Sequence, residues 1–323
     1  VDPRLAALER WLGEQFQGIP FTLAPASEDA SFRRYFRARL ADGRTRIAMD
    51  APPGREDCAS FVRVARLLAE AGLNAPRVEA QDLARGFLLL SDLGSTTYLD
   101  ALDESNAAAL MRDATDALLR WQLATRAGVL PPYDEALLRR EMALFPEWYV
   151  GRHLGRRLGT AQREELGRVE TLLVQSALAQ PGVFVHRDYM PRNLMLAEPN
   201  PGVLDFQDAV TGPITYDMVS LVRDAFRSWD EERVLDWAAR YWEKARQAGL
   251  PVERDYAGFW RAFEWMGLQR HLKVLGIFAR LTHRDGKAKY AADTPRFLRY
   301  AFEVASRYRE LAPLARLIEA LHR

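Results

Sequence analysis

The sequence predicts an α+β chain of two lobes, a small β-rich lobe over 1–93 and a larger, mainly helical lobe over 94–323. Three observations predict it. Short alternating apolar runs dominate before Gly94, whereas apolar residues recur at helical spacing after it. One later stretch, 182–206, breaks the helical texture with brief apolar runs set between polar clusters. Finally, 323 residues with 48% hydrophobic content exceed the usual size of a single compact core.

In the first lobe, Leu5, Leu8, Leu12 and Phe16 recur at helical spacing. Phe21 to Pro25, Arg33 to Leu40 and Arg44 to Asp50 then read as strands, the last two joined at Asp42-Gly43. From Glu56 to Gly72 the positions Phe61, Val64, Leu67 and Leu68 describe a helix that Gly72 stops, and runs near Val78 and from Phe87 to Leu90 add two strands. In the second lobe amphipathic patterns cover Glu104 to Thr125, Glu135 to Leu154, Ala161 to Ala179 and several stretches between Tyr216 and Leu321. The interruption reads as strands at Val183 to Val185, Leu194 to Leu196 and Val203-Leu204, with loops between them. A loop-rich insertion on a helical scaffold is where chemistry concentrates.

Composition narrows the class of function. With 45 basic residues against 44 acidic ones the formal charge is +1, so the net field that draws proteins to nucleic acid or anionic membranes is missing. The single cysteine, Cys58, has no partner for an internal disulfide or a shared zinc ion, which fits a reducing cytoplasm. The N-terminus has neither a basic leader nor an uninterrupted apolar stretch, and the apolar run Gly86 to Leu90 is far too short to cross a bilayer. A soluble, cytoplasmic monomer acting on a small molecule is the expectation.

The chemistry lies in Val185-His186-Arg187-Asp188-Tyr189-Met190-Pro191-Arg192-Asn193 and, downstream, Val203-Leu204-Asp205-Phe206. Phosphoryl transfer to an alcohol needs a carboxylate near the attacking hydroxyl and oxygen ligands that fix magnesium on the phosphates. Asp188 is the candidate base or hydroxyl-orienting residue, with Asn193 and Asp205 as the magnesium ligands. The spacing from Asp188 to Asn193 equals that of the H-R-D-L-x-x-x-N loop of kinases, and Asp205-Phe206 falls where their D-F-G element does, although Gln207 replaces the glycine. The competing reading is a His-Arg-Asp turn with Asn193 as a cap. His186 and Arg187 are assigned to support. Asp217 either caps the helix that follows Pro213-Ile214-Thr215 or hydrogen-bonds the Asp188 loop.

The sequence from His186-Arg187-Asp188 to Asn193, then Leu204-Asp205-Phe206-Gln207-Asp208, then Gly212-Pro213 through Tyr216-Asp217, resembles the aminoglycoside phosphotransferase and choline kinase superfamily. Across nearly the whole chain, Ala30-Ser31-Phe32-Arg33-Arg34-Tyr35, Met49-Asp50-Ala51-Pro52-Pro53, Phe206-Gln207-Asp208-Ala209 and Gln269-Arg270-His271-Leu272-Lys273-Val274-Leu275-Gly276 are similar to the bacterial N-acetylmuramate/N-acetylglucosamine anomeric kinases of cell-wall recycling. The resemblance implies a bilobal protein-kinase-like fold with ATP between the lobes. Its adenine edge would read backbone around Leu90, Ser91 and Leu93, under a phosphate-covering turn from Ser27 to Arg34.

Two departures from the kinase pattern stand out. That turn has no glycine, so side chains such as Ser31 or Arg33 are the candidates for phosphate contact. No lysine precedes Lys244, so the strand lysine that bridges phosphate and a helix glutamate is missing. Met49 or Asp50 stands near its place, and an arginine is not its equivalent, so the pair is not transferred to Glu56 or Glu70.

For the acceptor, the implied amino sugar, the candidates are Glu147, Trp148, Asp208, Arg223 and His271, through hydroxyl-pairing groups and an aromatic face. Core or capping roles compete for several of them, above all for the tryptophans. The cations Arg270, His271, Lys273, Arg280, Arg284, Lys287 and Lys289 suit a sugar carboxylate or else form a solvated face. The expected activity is ATP- and Mg2+-dependent phosphorylation of the C1 hydroxyl of N-acetylmuramate or N-acetylglucosamine. The alternatives are an aminoglycoside or other small-alcohol phosphotransferase, and a non-catalytic nucleotide-binding scaffold.

Overall fold

The computed structural model describes residues 2–27 and 32–322. Its elements follow one another as α1 (Pro3–Gln15), β1 (Phe21–Ser27), β2 (Arg34–Leu40), β3 (Thr45–Asp50), α2 (Cys58–Glu70), β4 (Val78–Asp82), β5 (Phe87–Ser91), α3 (Tyr98–Ala101), α4 (Ala107–Leu123) and α5 (Glu135–Met142). A π-helix, Phe145–His153, precedes α6 (Thr160–Ala179), β6 (Gly182–Val185), β7 (Leu194–Met195), β8 (Gly202–Val203) and β9 (Val210–Pro213). The chain ends in α7 (Tyr216–Val222), α8 (Glu231–Gln247), α9 (Tyr256–His283), α10 (Thr294–Arg307) and α11 (Ala312–Leu321).

Contacts divide the chain into two compact units, 1–121 with 191–209, and 122–190 with 210–323. This differs from a boundary at 93/94 because the β7–β8 hairpin is bonded into the first unit. The Val203 amide donates to the Asn74 carbonyl at 2.7 Å and the Leu196 amide to that of Thr96 at 2.9 Å. Asn200 Nδ2 reaches the Tyr98 hydroxyl at 2.8 Å and Asp113 at 2.9 Å. These bonds join a distant segment of chain to 74–113, and periodicity carries no trace of them.

The first unit is built on an antiparallel sheet in the order β1-β2-β3-β5-β4, with Tyr35 opposite Met49 and Ile47 opposite Leu90. Because side chains alternate along a strand, Ala38, Leu40, Ala48, Phe87 and Leu89 share one face, which α1 covers with Leu8, Trp11 and Leu12. Asp2 starts α1 by accepting the amides of Arg4 and Leu5, and Pro3 sits where no amide is needed. The fully buried Asp50 at the end of β3 accepts from both Arg4 and Arg34.

The second unit is organised around α9, 28 residues long and buried along most of its length. Its Gly276 admits close packing, since a Cβ there would lie 2.4 Å from the backbone carbon of Leu144. The helix expected over Glu135 to Leu154 is divided: α5 ends at Met142 and the π-helix begins at Phe145. Pro146 has no amide to donate back to Met142, so the ladder re-forms in wider turns, with Leu154 donating to Tyr149 at 3.0 Å. Strand β9 was not foreseen, because its Gly212-Pro213 reads as a breaker; it pairs with β6, Val185 opposite Val210. Among the described residues no helix is long and apolar enough to cross a membrane.

Candidate active site

In the first unit a 3-10 turn, Pro191–Asn193, delivers Asn193 to the start of β7, and Asp205 follows the end of β8. The hairpin sets them side by side: the Leu204 amide donates to the Asn193 carbonyl at 2.9 Å, and Asn193 Nδ2 donates to Asp205 Oδ2 at 3.4 Å. Asp205 has φ +59°, a left-handed conformation that costs a non-glycine residue about 1 kcal/mol or more. Its neighbours hold it there. Gln207 Nε2 donates to Asp205 Oδ1 at 2.8 Å, the fully buried Phe206 packs on Phe61 with centroids 4.7 Å apart, and Ser60 Oγ donates to the Gln207 carbonyl at 2.7 Å.

These two residues fit a hard divalent cation. Magnesium is commonly held by one or two protein carboxylates together with substrate phosphates, and a half-turn of the Asn193 amide would exchange Nδ2 for Oδ1 beside the Asp205 carboxylate. Among the described residues no group of three or more His, Cys, Asp or Glu could hold a metal ion.

Asn193 and Asp205 line a cleft of about 250 Å³ with Tyr35, Arg37, Ile47, Leu90, Ser91 and Leu93. The structure therefore gathers Leu90, Ser91 and Leu93 at the cleft that holds both candidate metal ligands. Arg33 lies just before β2, its Nε 3.6 Å from Glu56 Oε2. Ser31 lies outside the described residues. Sequence reading missed Arg37, whose guanidinium makes two bonds to Asp92, at 2.7 and 3.1 Å, and one to the Gly94 carbonyl at 2.6 Å. Burial raises the Asp92 carboxyl, but Arg37 and the Gly94 amide outweigh it and hold it below the usual carboxylate range. The signal was present in Tyr35 and Arg37, two apart on β2 and so on one face.

Asp188 belongs to the second unit, half-buried in the loop after β6. Asp217, fully buried in the first turn of α7, accepts the amides of His186 at 2.6 Å and Arg187 at 3.0 Å, so it braces this loop. Burial pushes the Asp217 carboxyl up to about 7 despite those two amides. His186 Nδ1 accepts the Asp188 amide at 3.2 Å, and its ring meets Tyr189 edge-on. Arg187, at φ +76°, pairs with Glu141 of α5. The same Glu141 oxygen receives Lys273 Nζ at 3.0 Å, while its other oxygen accepts the Tyr133 hydroxyl. Lys273 also donates to the Tyr216 hydroxyl at 3.1 Å. Glu141 was missed too; its signal was an acid in the apolar stripe with Leu138, Met142 and Phe145.

Of the acceptor candidates, Asp208 belongs to the first unit and the other four to the second. Glu147 is exposed and Trp148 half-buried on the π-helix, and Asp208 is exposed in the first unit beside Gln207. Arg223 is 3% exposed, bonded to Glu231 at 3.0 Å and Glu264 at 3.4 Å, and stacked over Trp260 and Phe263. His271 is fully buried against Tyr300, and burial, with the charges of Arg270 and Arg223, holds its imidazole well below its usual range. The C-terminal cations do not make one solvated face: Arg270, His271 and Lys273 are interior, whereas Arg284 pairs with Asp285 at the surface.

The sequence pattern of the phosphotransferase enzyme family matches residues 22–259. The chain belongs to that family. Within it, the chain is 57% identical over 319 residues to the N-acetylmuramate/N-acetylglucosamine kinase of Pseudomonas aeruginosa, spanning 99% of this chain and 93% of that one. It is 54% identical to the protein of the same name from Pseudomonas putida, spanning 99% and 97%. A choline/ethanolamine kinase family protein from Mesorhizobium loti has the same fold, with a TM-score of 0.63 at 16% identity over 97% of this chain and 99% of that one. This phosphotransferase thus carries its Asp188 and its Asn193–Asp205 pair on a kinase fold, and it is an ATP-dependent kinase with an alcohol acceptor.

Proposed function

We propose that the chain transfers the γ-phosphoryl group of ATP to the C1 hydroxyl of N-acetylmuramate and N-acetylglucosamine, yielding the sugar 1-phosphate and ADP in peptidoglycan recycling. The observation that carries the chemistry is the adjacency of Asn193 and Asp205, 3.4 Å apart at the cleft. The relatives named above support the acceptor. Magnesium, held by Asn193 and Asp205, would supply positive charge to the phosphates. Asp188 orients the sugar hydroxyl and takes its proton; an anomeric hydroxyl is more acidic than an ordinary alcohol, so orientation and electrostatics matter more than base strength.

Leu90, Ser91 and Leu93 receive the adenine, and Arg33 and Ser31 are the side chains assigned to the phosphates. Glu147, Trp148, Asp208, Arg223 and His271 are the side chains assigned to the sugar; of these, Glu147, Asp208 and Trp148 have accessible surface to offer it, whereas Arg223 and His271 are buried. We assign the enzyme to the cytoplasm, as a monomer.

The test is ADP release from ATP and magnesium with N-acetylmuramate, N-acetylglucosamine, kanamycin or choline as acceptor. Release with the two N-acetylated sugars alone is expected. Release only with kanamycin or choline would replace the acceptor, and release with none would leave a nucleotide-binding scaffold. Asp188→Asn is expected to abolish turnover while ATP still binds in calorimetry; retained turnover would remove Asp188 from its role.

A further inference from the structure

Kinases of this general design carry a lysine on the third strand that touches the nucleotide phosphates and is held by a glutamate of the following helix. Here the strand position is apolar and enclosed. Met49 is fully buried, and no lysine occurs before Lys244. The fully buried Asp50 is committed to Arg4 and Arg34. The end of β3 therefore supplies no cation for the phosphates.

The geometry of β2 supplies one. Tyr35 and Arg37 both line the cleft that contains Asn193 and Asp205. Side chains two apart on an extended strand share a face, so Arg33, one step before β2, continues the Tyr35–Arg37 row. Tyr35 lies opposite Met49, which places Arg33 diagonally across from the missing lysine.

Arg33 is also held. Its side chain is 9% exposed, and its Nε lies 3.6 Å from Glu56 Oε2. Glu56 Oε1 accepts the Phe32 amide at 3.0 Å, so a single carboxylate fixes both the backbone and the guanidinium of this segment. Glu56 directly precedes Asp57, the N-cap of α2, and the helix anchors it. The planar guanidinium grips phosphate through paired N–H donors rather than as a point charge.

We propose that Arg33 is the cation that grips the nucleotide phosphates and that Glu56 is the positioning residue that holds it, so that the cation–acid pair of this kinase starts from β2 instead of β3. The inference rests on the kinase reading above and deepens it.

The experiment needs no acceptor. Calorimetry with magnesium chloride present measures the affinity of ATP, ADP and adenosine for the wild type, Arg33→Met, Arg33→Lys and Glu56→Gln. Arg33→Met is expected to weaken ATP and ADP roughly tenfold or more and adenosine less than about twofold, the cost of losing a charged hydrogen bond to phosphate. Arg33→Lys should recover part of that loss. Glu56→Gln should weaken ATP and ADP several-fold while leaving adenosine within about twofold, and in an Arg33→Met background it should change nothing further. Unchanged ATP and ADP affinity in Arg33→Met would overturn the proposal. So would a loss of adenosine affinity in Arg33→Met as large as the loss of ATP affinity, because the residue would then be maintaining the cleft and not holding phosphate. A wild type that binds no nucleotide at all would instead sink the kinase reading.

Discussion

Glu141 lies in the interior with Arg187, Lys273 and Tyr133 on its two oxygens, and Gln269 Nε2 reaches it at 3.4 Å. Burial alone would raise its carboxyl, but Lys273 and Arg187 more than offset that and bring it to about 2, against an ordinary value of 4.5. A carboxyl depressed in the folded state stabilises the fold above its unfolded value, and that stability drains away as pH falls through the folded value. Glu141→Gln is therefore expected to lower the unfolding free energy at neutral pH by on the order of 3 kcal/mol in urea denaturation. The gap from wild type should close as pH drops from about 4.5 to about 2. A gap that stays constant over that window would show that the carboxylate's charge is not what stabilises.

The long helix α9 packs so closely at Gly276 that an added Cβ would collide with the carbon and oxygen of Leu144, both backbone atoms that cannot turn aside. Gly276→Ala is expected to cost about 2 kcal/mol, read as a lower urea midpoint at unchanged slope. Gly167 within α6 has nothing within 4 Å of its added Cβ. There the same substitution should stabilise by about 0.5 kcal/mol or more, because glycine is the poorer helix former. If the two variants moved alike, close approach would not be the reason for Gly276. The divided helix carries the same lesson: its apolar spacing continues past Met142, but Pro146 decides the hydrogen bonding.

At the scale of the molecule, a ligand that binds only the folded chain stabilises all of it. ATP with magnesium at a hundredfold excess over its dissociation constant should add about 2.7 kcal/mol to the unfolding free energy, measured as a rise in Tm. Asp205→Asn should lose the part of that rise that depends on magnesium, and EDTA should leave the nucleotide-free Tm unchanged; a drop with EDTA alone would mean a structural metal. The β-then-helix order and the Asp188, Asn193 and Asp205 motif were legible beforehand, because strand alternation, helical spacing and motif spacing are properties of adjacent residues. That motif is nevertheless shared between the two units, Asp188 in the second and Asn193 with Asp205 in the first, and only contacts could reveal the division. The sequence by itself determined which residue types could perform phosphoryl transfer and in what order they occur. Tertiary structure decided that Glu141 answers Arg187 and Lys273, that Arg33 meets Glu56, and that Arg223 and His271 are interior, because ion pairing and burial depend on residues far apart in the chain.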